Sequence, residues 1–312
     1  MEEKTVTVLG VKISIFSKNQ ILEEIKKYLE KIQNPKSKIQ NPRVRPLVIF
    51  TPNPEIIVYA QDDENFRQIL NQADLTLPDG WGVVWASQIL DQKSKIKNQK
   101  SIEERISGVA FMEDLCQLAA EQSLRVGLIG GRRGVAVKAL ECLKRKYPGL
   151  EGWTEDGHYQ DLRTIPGIER KKFRELAECV SPVQVQSSKW RMDELVEKIR
   201  KEQTSILFVG LGYPKQEYFI LQLQDLRTIP GIERKKFREL ALAKRECVSP
   251  ALVLMSVGGA FDELSGRLPR CPKWLDDLGF KWLWRLVLEP WRLPRQLALI
   301  KFIFLVLKER LR

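Results

Sequence analysis

The stretch Leu47-Val-Ile-Phe-Thr-Pro-Asn-Pro-Glu55 joins a short apolar run to a turn that contains two prolines and two polar side chains. A short apolar run bounded by turn residues is typical of a strand buried on both faces, as in a parallel sheet. Two other segments also place turn residues beside polar side chains, Pro78-Asp-Gly80 and Gly210-Leu-Gly-Tyr-Pro-Lys-Gln-Glu217. Ligands of open α/β sheets bind in the loops at the carboxyl ends of the strands, where we expect these segments to meet.

Strands and helices are predicted to alternate along the chain. Apolar runs predict strands at 6–9, 13–15, 47–50, 125–129, 206–209 and 252–257. Apolar residues at helical spacing predict helices at 21–29, 56–70, 80–90, 111–120, 135–146 and 192–201. Such alternation indicates an α/β fold, with a mostly parallel sheet and helices on both of its faces.

Composition excludes several classes of site. The chain has 312 residues, of which 43% are hydrophobic, enough for one large α/β domain with an appendage. Its five cysteines form no CxxC pair, which argues against a disulfide framework or a zinc site and favours a reducing cytoplasm. The only histidine, His158, makes a histidine-based triad a poor expectation. Residues 1–4 contain no apolar run, so no secretory signal is expected.

The positive charge of the chain is concentrated near its C-terminus. The formal net charge is +12, and residues 267–312 carry eleven Lys or Arg against four Asp or Glu, a balance of +7. Four of the eight tryptophans lie between Trp274 and Trp291. Residues 297–307 are apolar apart from Lys301, but eleven residues are too few to span a bilayer, which takes about twenty.

These features predict a basic appendage that lies on an anionic membrane surface. The alternative is an ordinary packed helix with a solvated basic face. Nucleic acid is not an expected partner, because the aliphatic run does not suit one. Pro290 and Pro294 are expected to break the region into two short helices.

Internal duplication indicates surface inserts rather than a repeat fold. Gln160–Ala177 recurs without change at Gln224–Ala241, within otherwise non-repetitive sequence. Loops tolerate added length at small entropic cost, so we expect inserts near 31–45, 91–101, 160–188 and 224–249. The predicted organisation is a catalytic α/β domain at 1–266 and the basic appendage at 267–312.

Asp79 is the strongest candidate for acid–base chemistry. Pro78 and Gly80 shape a turn that lets a ligand approach closely. If burial raises its pKa, a carboxylate there can act as a general base toward a hydroxyl; the alternative is a helix N-cap. Thr51 and Asn53 can hydrogen-bond a sugar or a phosphate, or can merely form the turn between the two prolines.

Glycine-rich turns supply the candidate phosphate sites. Backbone N–H groups at such turns bind anions, but the spacing matches neither GxGxxG nor a P-loop, and a tight turn is the alternative reading. Arg105 can reach a phosphate or form an exposed ion pair. The candidates for a nucleotide diphosphate or its sugar are Gly130, Gly131, Gly210, Gly212, Pro214, Gln216, Gly258 and Asp262.

The order of these motifs resembles bacterial glycosyltransferases of the WecG, TagA and CpsF type, which act in teichoic-acid, enterobacterial common antigen and capsule synthesis. The stretches that carry the resemblance cover nearly the whole chain outside the inserts. They are TPNPEIIVYA (51–60), ADLTLPDGWGVVWAS (73–87), ERISG (104–108), GLIGGRRGVA (127–136), YPGL (147–150), VGLGYPKQE (209–217) and VGGAFDELSG (257–266).

The resemblance implies a Rossmann-like fold and inverting transfer of an N-acetylmannosamine-type sugar from UDP to polyprenyl-diphosphate-linked N-acetylglucosamine. It implies Asp79 as the base, with functional roles for Thr51 and Gln216, and it implies no metal or other cofactor. A C-terminal appendage is expected to close over the site and dock on the inner face of the plasma membrane. Its arginines align with Arg285, Arg292 and Arg295, which we expect to contact the acceptor or the diphosphate.

One departure from the family concerns Lys281, which stands where the family often has an acidic residue, so a salt bridge of the appendage is in doubt. Two rival functions also remain. A nucleotide-sugar-modifying Rossmann enzyme needs a dinucleotide fingerprint that is not found, and a non-catalytic membrane-associated scaffold of polysaccharide assembly is the alternative. The sequence leaves open whether the chain forms homo-oligomers.

Overall fold

A computed structural model describes residues 5–33, 46–91, 102–156, 192–224 and 252–311. The predicted inserts and His158 lie almost wholly outside these ranges. The described strands, in chain order, are β1 (Thr5–Val8), β2 (Val11–Ser14), β3 (Leu47–Phe50), β4 (Leu75–Thr76), β5 (Arg125–Gly130), β6 (Glu151–Glu155), β7 (Thr204–Gly210) and β8 (Val253–Ser256).

Helices connect most of these strands and also form the C-terminal region. The described helices are α1 (Lys18–Gln33), α2 (Pro54–Asp62), α3 (Glu64–Asn71), α4 (Trp81–Asp91), α5 (Gly108–Glu121), α6 (Val135–Lys146), α7 (Met192–Lys201), α8 (Lys215–Gln224), α9 (Ala260–Leu264), α10 (Lys273–Asp277), α11 (Lys281–Leu288) and α12 (Leu293–Leu311). A 3₁₀ turn at Pro290–Arg292 separates the last two.

A six-stranded sheet in the order β4-β3-β8-β7-β5-β6 forms the centre, and every strand pair in it is parallel. This confirms the predicted α/β fold with a mostly parallel sheet. Most residues of the central strands are apolar, because helices cover both of their faces. In β8, for example, all four residues are buried. Since the strands are parallel, the loops after β3, β8, β7 and β5 all leave from one edge.

Alternate residues of the strands face two separate apolar layers. Leu254 packs with residues of α2, α4, α8 and α12 on one side of the sheet. Val253 and Met255 pack with residues of α1, α5, α6 and α9 on the other side. This alternation is the two-residue period of a strand, and it places helices on both faces as predicted. The antiparallel pair β1–β2 bonds to the edge strand β4 through Thr76, whose hydroxyl donates to the Lys12 carbonyl at 2.7 Å.

The helix predicted over residues 56–70 is two helices, so this prediction is wrong in one respect. Asp63 has an extended backbone, and its Oδ1 accepts a hydrogen bond from the Phe66 N–H at 3.0 Å. Aspartate satisfies the free N–H groups at a helix start, which favours a new helix at this position. Apolar spacing alone did not reveal the break, because Phe66, Ile69 and Leu70 continue the buried stripe.

The C-terminal region also differs from its prediction. Pro290 interrupts the helical path as expected, but Pro294 is the second residue of α12 and does not break it. Proline is tolerated in the first turn of a helix, because the backbone N–H groups there have no acceptor within the helix and the lack of one loses no hydrogen bond. The 19-residue α12 therefore continues to Leu311 and buries Phe302 and Val306 against α2 and α4. No helix within the described ranges has the length and hydrophobicity needed to span a membrane.

Replacing Asp63 by alanine should lower the free energy of unfolding by about 1 kcal/mol, because the Phe66 N–H loses its acceptor. Ser107→Ala is the matched control: Ser107 precedes α5 in the same capping position, but its side chain makes no capping hydrogen bond. Chemical denaturation measures both variants. Equal losses of stability in the two would contradict the capping role of Asp63.

Candidate active site

The loops that follow β3, β8, β7 and β5 are hydrogen-bonded to one another at the carboxyl edge of the sheet. The Thr51 hydroxyl donates to the Ser256 carbonyl at 3.2 Å. The Gly258 N–H donates to Gln216 Oε1 at 3.0 Å, and the Gly131 N–H donates to the Gly210 carbonyl at 2.9 Å. The predicted segments therefore meet at this edge, and these bonds between loops fix their spacing.

Four of the candidate glycines of this edge fall into two groups. A Cβ on Gly130 would lie 2.5 Å from the Gly210 carbonyl oxygen, and a Cβ on Gly210 would lie 2.7 Å from the Phe261 ring. Glycine is therefore needed at these two positions because neighbouring elements approach the backbone too closely for a side chain. Gly212 and Gly258 have positive φ, and a Cβ added to either would meet nothing within 4 Å, so they border open space that a ligand can occupy.

Asp79 is held between the ends of two strands and the start of α5. Its backbone N–H donates to the Pro52 carbonyl at 3.2 Å, and the Pro78 carbonyl accepts from the Ile106 N–H at 3.1 Å. The backbone N–H of Gly108, at the start of α5, lowers the pKa of the Asp79 carboxyl. The carboxylate thus lies near a helix N-terminus, although not that of the helix that directly follows it.

The electrostatic surroundings of Asp79 suit a general base. Burial raises the pKa of its carboxyl, and Glu263 raises it further. Lys281 and Arg105 act in the opposite direction, as does the bond from Gly108. Because burial is the largest effect, the pKa lies above that of a free aspartate, which makes the ionised form a better proton acceptor.

Thr51, Asn53 and Asp262 all have partners within the protein. Asn53 Oδ1 accepts from the Ile56 N–H at 3.0 Å and caps α2, which agrees with the turn interpretation for that oxygen. Thr51 is buried and packs its side chain against Gly108. Asp262 accepts from Arg267 at 2.8 Å. All three lie at the carboxyl edge, and their predicted contacts with a donor stay predictions.

Gln216 bridges two loops with both ends of its amide. It is almost completely buried; its Oε1 accepts from Gly258, and its Nε2 donates to Glu217 at 2.8 Å. Pro214, which follows a cis peptide bond, precedes it at the start of α8. In this structure Gln216 therefore organises the edge of the sheet.

Arg105 joins the core to the C-terminal region. Its guanidinium makes a bidentate pair with Asp276 of α10, at 2.6 and 2.8 Å, and lies 5.8 Å from the Trp81 ring centroid. The Trp81 indole N–H donates to the Asp276 carbonyl at 3.3 Å. With only 13% of its side chain exposed, Arg105 differs from the exposed ion pair considered as an alternative. The pair between Arg105 and Asp276 holds α10 next to the loop that carries Asp79.

The three arginines predicted in the appendage converge on carboxylates near the same edge. Arg285 bonds to Glu263 of α9 at 2.9 Å and to Glu289 at 3.0 Å, and its Nη2 would lie 3.4 Å from a Cβ on Gly259. Arg292 also forms an ion pair with Glu289, at 2.7 Å. Arg295 forms an ion pair with Glu55 at 3.0 Å and lies 5.1 Å from the Tyr213 ring centroid.

This arginine cluster, Arg285, Arg292 and Arg295, is crowded with positive charge. Burial lowers the pKa of Arg292, and the neighbouring charges of Arg285 and Arg295 lower it further. The Nε of Arg285 is buried and has no hydrogen-bond partner among the described residues. A cluster of like charges with an unused donor is suited to binding a multivalent anion.

The doubt about a salt bridge at Lys281 is resolved by the structure. Lys281 pairs with Glu263 at 3.1 Å, so the appendage supplies the cation and the core supplies the acid. Sequence reasoning also missed Glu55, Glu263 and Glu289, the carboxylates that receive the arginines. Glu55 lies within the quoted TPNPE segment, but nothing in the sequence shows which distant arginine it contacts.

The described residues contain no group of three or more His, Cys, Asp or Glu side chains placed to hold a metal ion. The expectation that the protein needs no metal stays a prediction.

Comparison with known proteins confirms the resemblance. The model of the family described as Glycosyl transferase WecG/TagA/CpsF matches residues 6–232 and 237–312. A Bacillus subtilis (strain 168) protein, N-acetylglucosaminyldiphosphoundecaprenol N-acetyl-beta-D-mannosaminyltransferase, is 28% identical over 264 residues, covering 84% of this chain and 79% of the relative. A Staphylococcus aureus (strain NCTC 8325 / PS 47) protein of the same name is 24% identical over 305 residues, covering 98% and 93%.

A third relative with that name, from Bacillus spizizenii (strain ATCC 23059 / NRRL B-14472 / W23), is 29% identical over 262 residues, which cover 83% of this chain and 78% of the relative. The matched stretches extend over most of the described fold, from β1 to α12. The chain therefore belongs to the WecG/TagA/CpsF family of glycosyl transferases.

Proposed function

We propose that the protein transfers an N-acetylmannosamine-type sugar from a UDP-sugar to N-acetylglucosamine linked to a polyprenyl diphosphate, with inversion at the anomeric carbon. The names of the three relatives support the acceptor and the transferred sugar. The observation that carries the proposal is the placement of a desolvated carboxylate, Asp79, under the electrostatic influence of two cations, Lys281 of the C-terminal region and Arg105 of the core. A non-catalytic scaffold has no need of this arrangement.

In the proposed reaction Asp79 accepts the proton of an acceptor hydroxyl. The hydroxyl oxygen forms a bond to the anomeric carbon of the donor on the face opposite UDP. The bond from that carbon to the diphosphate oxygen breaks, and its electron pair leaves with UDP. A single displacement of this kind inverts the configuration and needs one base and one stabilised leaving group.

The arginine cluster stabilises the diphosphate in this proposal. Arg285, Arg292 and Arg295 contact Glu55, Glu263 and Glu289 in the structure, and the phosphate oxygens of a bound donor compete for the same N–H groups. Charge-assisted bonds from prearranged donors are strongest where water is excluded. Because these cations can neutralise the leaving group, the proposed reaction needs no metal or other cofactor, so activity should persist in the presence of EDTA.

The outer face of α12 supports a peripheral position on the inner surface of the plasma membrane, where a polyprenyl-linked acceptor is found. Exposed apolar residues that recur every three or four positions form one continuous stripe along the helix, and Ile303 is exposed beside it. The stripe consists of Leu293, Leu297, Ile300, Phe304, Leu307 and Leu311. Trp274 and Trp291 are also exposed, and tryptophan favours the membrane interface. Lys308 and Arg310 can contact anionic headgroups.

Asp79→Asn should keep the fold but lower kcat by about 10²- to 10⁴-fold, the usual contribution of a general base. In the wild type, kcat should fall as the pH is lowered through the raised pKa of Asp79, because protonation removes the base. The variant should lack this acid limb. UDP release from UDP-N-acetylmannosamine and a short-chain lipid-diphosphate acceptor measures both effects. Wild-type turnover in Asp79→Asn would contradict the base assignment.

Arg292→Ala should lower kcat/KM for the donor by about 10²- to 10³-fold, as expected for losing one donor to a developing negative charge. The control is Arg67→Ala, because Arg67 forms an ion pair with Glu64 of its own helix, α3, outside the cluster. Steady-state kinetics with varied donor concentration separates the two variants. If both retain wild-type kcat/KM, the arginine cluster does not act on the diphosphate.

Replacing Leu297, Ile300 and Phe304 together by serine should weaken binding to vesicles of phosphatidylglycerol and phosphatidylcholine. The three side chains are exposed, so the fold should be retained, and soluble substrates should still be turned over. Val137→Ser, an exposed apolar position on α6, serves as the control. Co-sedimentation measures the bound fraction; equal binding by the triple variant and the wild type would show that this stripe does not contact lipid.

A further inference from the structure

Glu217 is a buried acid that the proposed mechanism does not use. It lies in the first turn of α8 and has no solvent-exposed surface. Its Oε1 accepts from Gln216 Nε2 at 2.8 Å, while its Oε2 is buried without a hydrogen-bond partner in the described part of the chain. An unpaired buried carboxylate oxygen is costly, so this site favours a neutral carboxylic acid.

A second unpartnered group lies on the same face of the sheet. The Ser256 hydroxyl at the end of β8 is also buried without a partner within the described ranges. Ser256 is two residues after Leu254, so its side chain points toward the layer that contains α8. The apolar layer beneath the glycine turns thus includes two polar groups that have unused hydrogen-bonding capacity.

Within the described ranges, no cation compensates the Glu217 carboxyl. The elements packed against α8 are chiefly α3, β7 and β8, and the two strands carry no ionisable side chain. In α3, Glu64 and Arg67 pair with each other. Lys215 begins α8, but burial alone lowers its pKa, without any opposing effect of a carboxylate. Burial raises the pKa of Glu217 to about 7, opposed only by bonds from the Gln216 amide and its own N–H.

The Gln216 amide connects this acid to the ligand edge. By accepting from Nε2, Glu217 fixes the amide so that Oε1 accepts from the Gly258 N–H. Gly258 borders open space, and the next residue, Gly259, approaches Arg285. The order of contacts is therefore Glu217, Gln216, and then the glycine turn beside the arginine cluster.

We propose that Glu217 is a positioning residue that stays protonated when the donor binds, and that it holds Gln216 and the Gly258 turn in the geometry that accepts the nucleotide diphosphate. Ionisation would place an uncompensated negative charge in this apolar layer, next to the turn where the diphosphate binds. The ligand part of this inference rests on the proposed function, whereas the proton on Glu217 does not.

Thermal unfolding between pH 5 and 8.5 tests whether Glu217 is protonated in the folded protein. A glutamate in the unfolded chain has a pKa of about 4.3, below the folded value, so the folded state binds the extra proton between the two. Wild-type Tm should therefore contain a contribution that falls as the pH rises from 5 to about 7 and is lost above that pH. Glu217→Gln mimics the neutral acid and should lack this contribution, leaving the variant the more stable protein at pH 8.5.

Glu113→Gln is the matched control, because Glu113 is a largely buried glutamate on the opposite face of the sheet. Arg270 and Lys146 hold the pKa of Glu113 below its usual value, so it stays ionised throughout this pH range. Glu113→Gln should lower Tm and keep the wild-type fall between pH 5 and about 7. If the Tm curves of wild type and Glu217→Gln run parallel, Glu217 does not hold the proton.

Binding is tested by calorimetry with UDP at pH 6 and pH 8.5, comparing proteins at the same pH so that titration of UDP itself cancels. The two proteins should bind equally at pH 6. At pH 8.5 Glu217→Gln should bind tighter by up to about 30-fold, the inverse of the protonated fraction expected for the wild type. Glu217→Leu, which removes the acceptor for Gln216, should bind weakly at both values.

The outcomes separate the two proposals. If the wild type does not bind UDP at either pH, the proposed function and the ligand part of this inference are both wrong. The Tm curves would still show whether Glu217 is protonated in the folded protein. The second outcome is that UDP binds, but the ratio of the Glu217→Gln affinity to the wild-type affinity is the same at pH 6 and pH 8.5. In that case the proposed function survives and the positioning role is overturned.

Discussion

The pairing of buried charges at the carboxyl edge of the sheet is the constraint on which the rest of the structure depends. Arg105 pairs with Asp276, and Arg285 pairs with Glu263 and Glu289, with little of these guanidinium groups exposed. A charge removed from water is costly unless a partner of opposite sign and good geometry accompanies it. The core and the C-terminal region therefore depend on each other, since neither can bury its charges alone.

This mutual dependence explains how a segment with a large excess of positive charge stays next to the proposed catalytic carboxylate, Asp79. Arg105 and Lys281 lower the pKa of Asp79, but each is also occupied by an acid of its own, Asp276 or Glu263. Burial consequently dominates, and the pKa of Asp79 is raised. Without these secondary carboxylates the cations would stabilise the ionised form more strongly, and Asp79 would be a weaker base.

Sequence reasoning predicted what depends on local pattern and missed what depends on distance in space. The strand Leu47–Phe50 and the helix Val135–Lys146 have the bounds expected, because each is an apolar run between clear turn signals. The two-residue β4 is too short to show a period, and α8 was missed because the buried start of the helix leaves little alternation. The position of the site at the carboxyl edge followed from the fold class. The ion pairs of the site could not be predicted in this way, since partners such as Arg295 and Glu55 are 240 residues apart in the chain.

The division of α12 into two faces connects the candidate active site to the apolar stripe proposed to bind the membrane. Phe302 and Val306 pack into the core, whereas the stripe from Leu293 to Leu311 faces outward. Because Arg292 directly precedes this helix and Arg295 lies in its first turn, a surface that engages the outer stripe would also fix the position of these two arginines. Apolar contact outside and ion pairing inside thus act on one helix, so the two proposed roles, membrane docking and leaving-group stabilisation, are expected to be coupled through it.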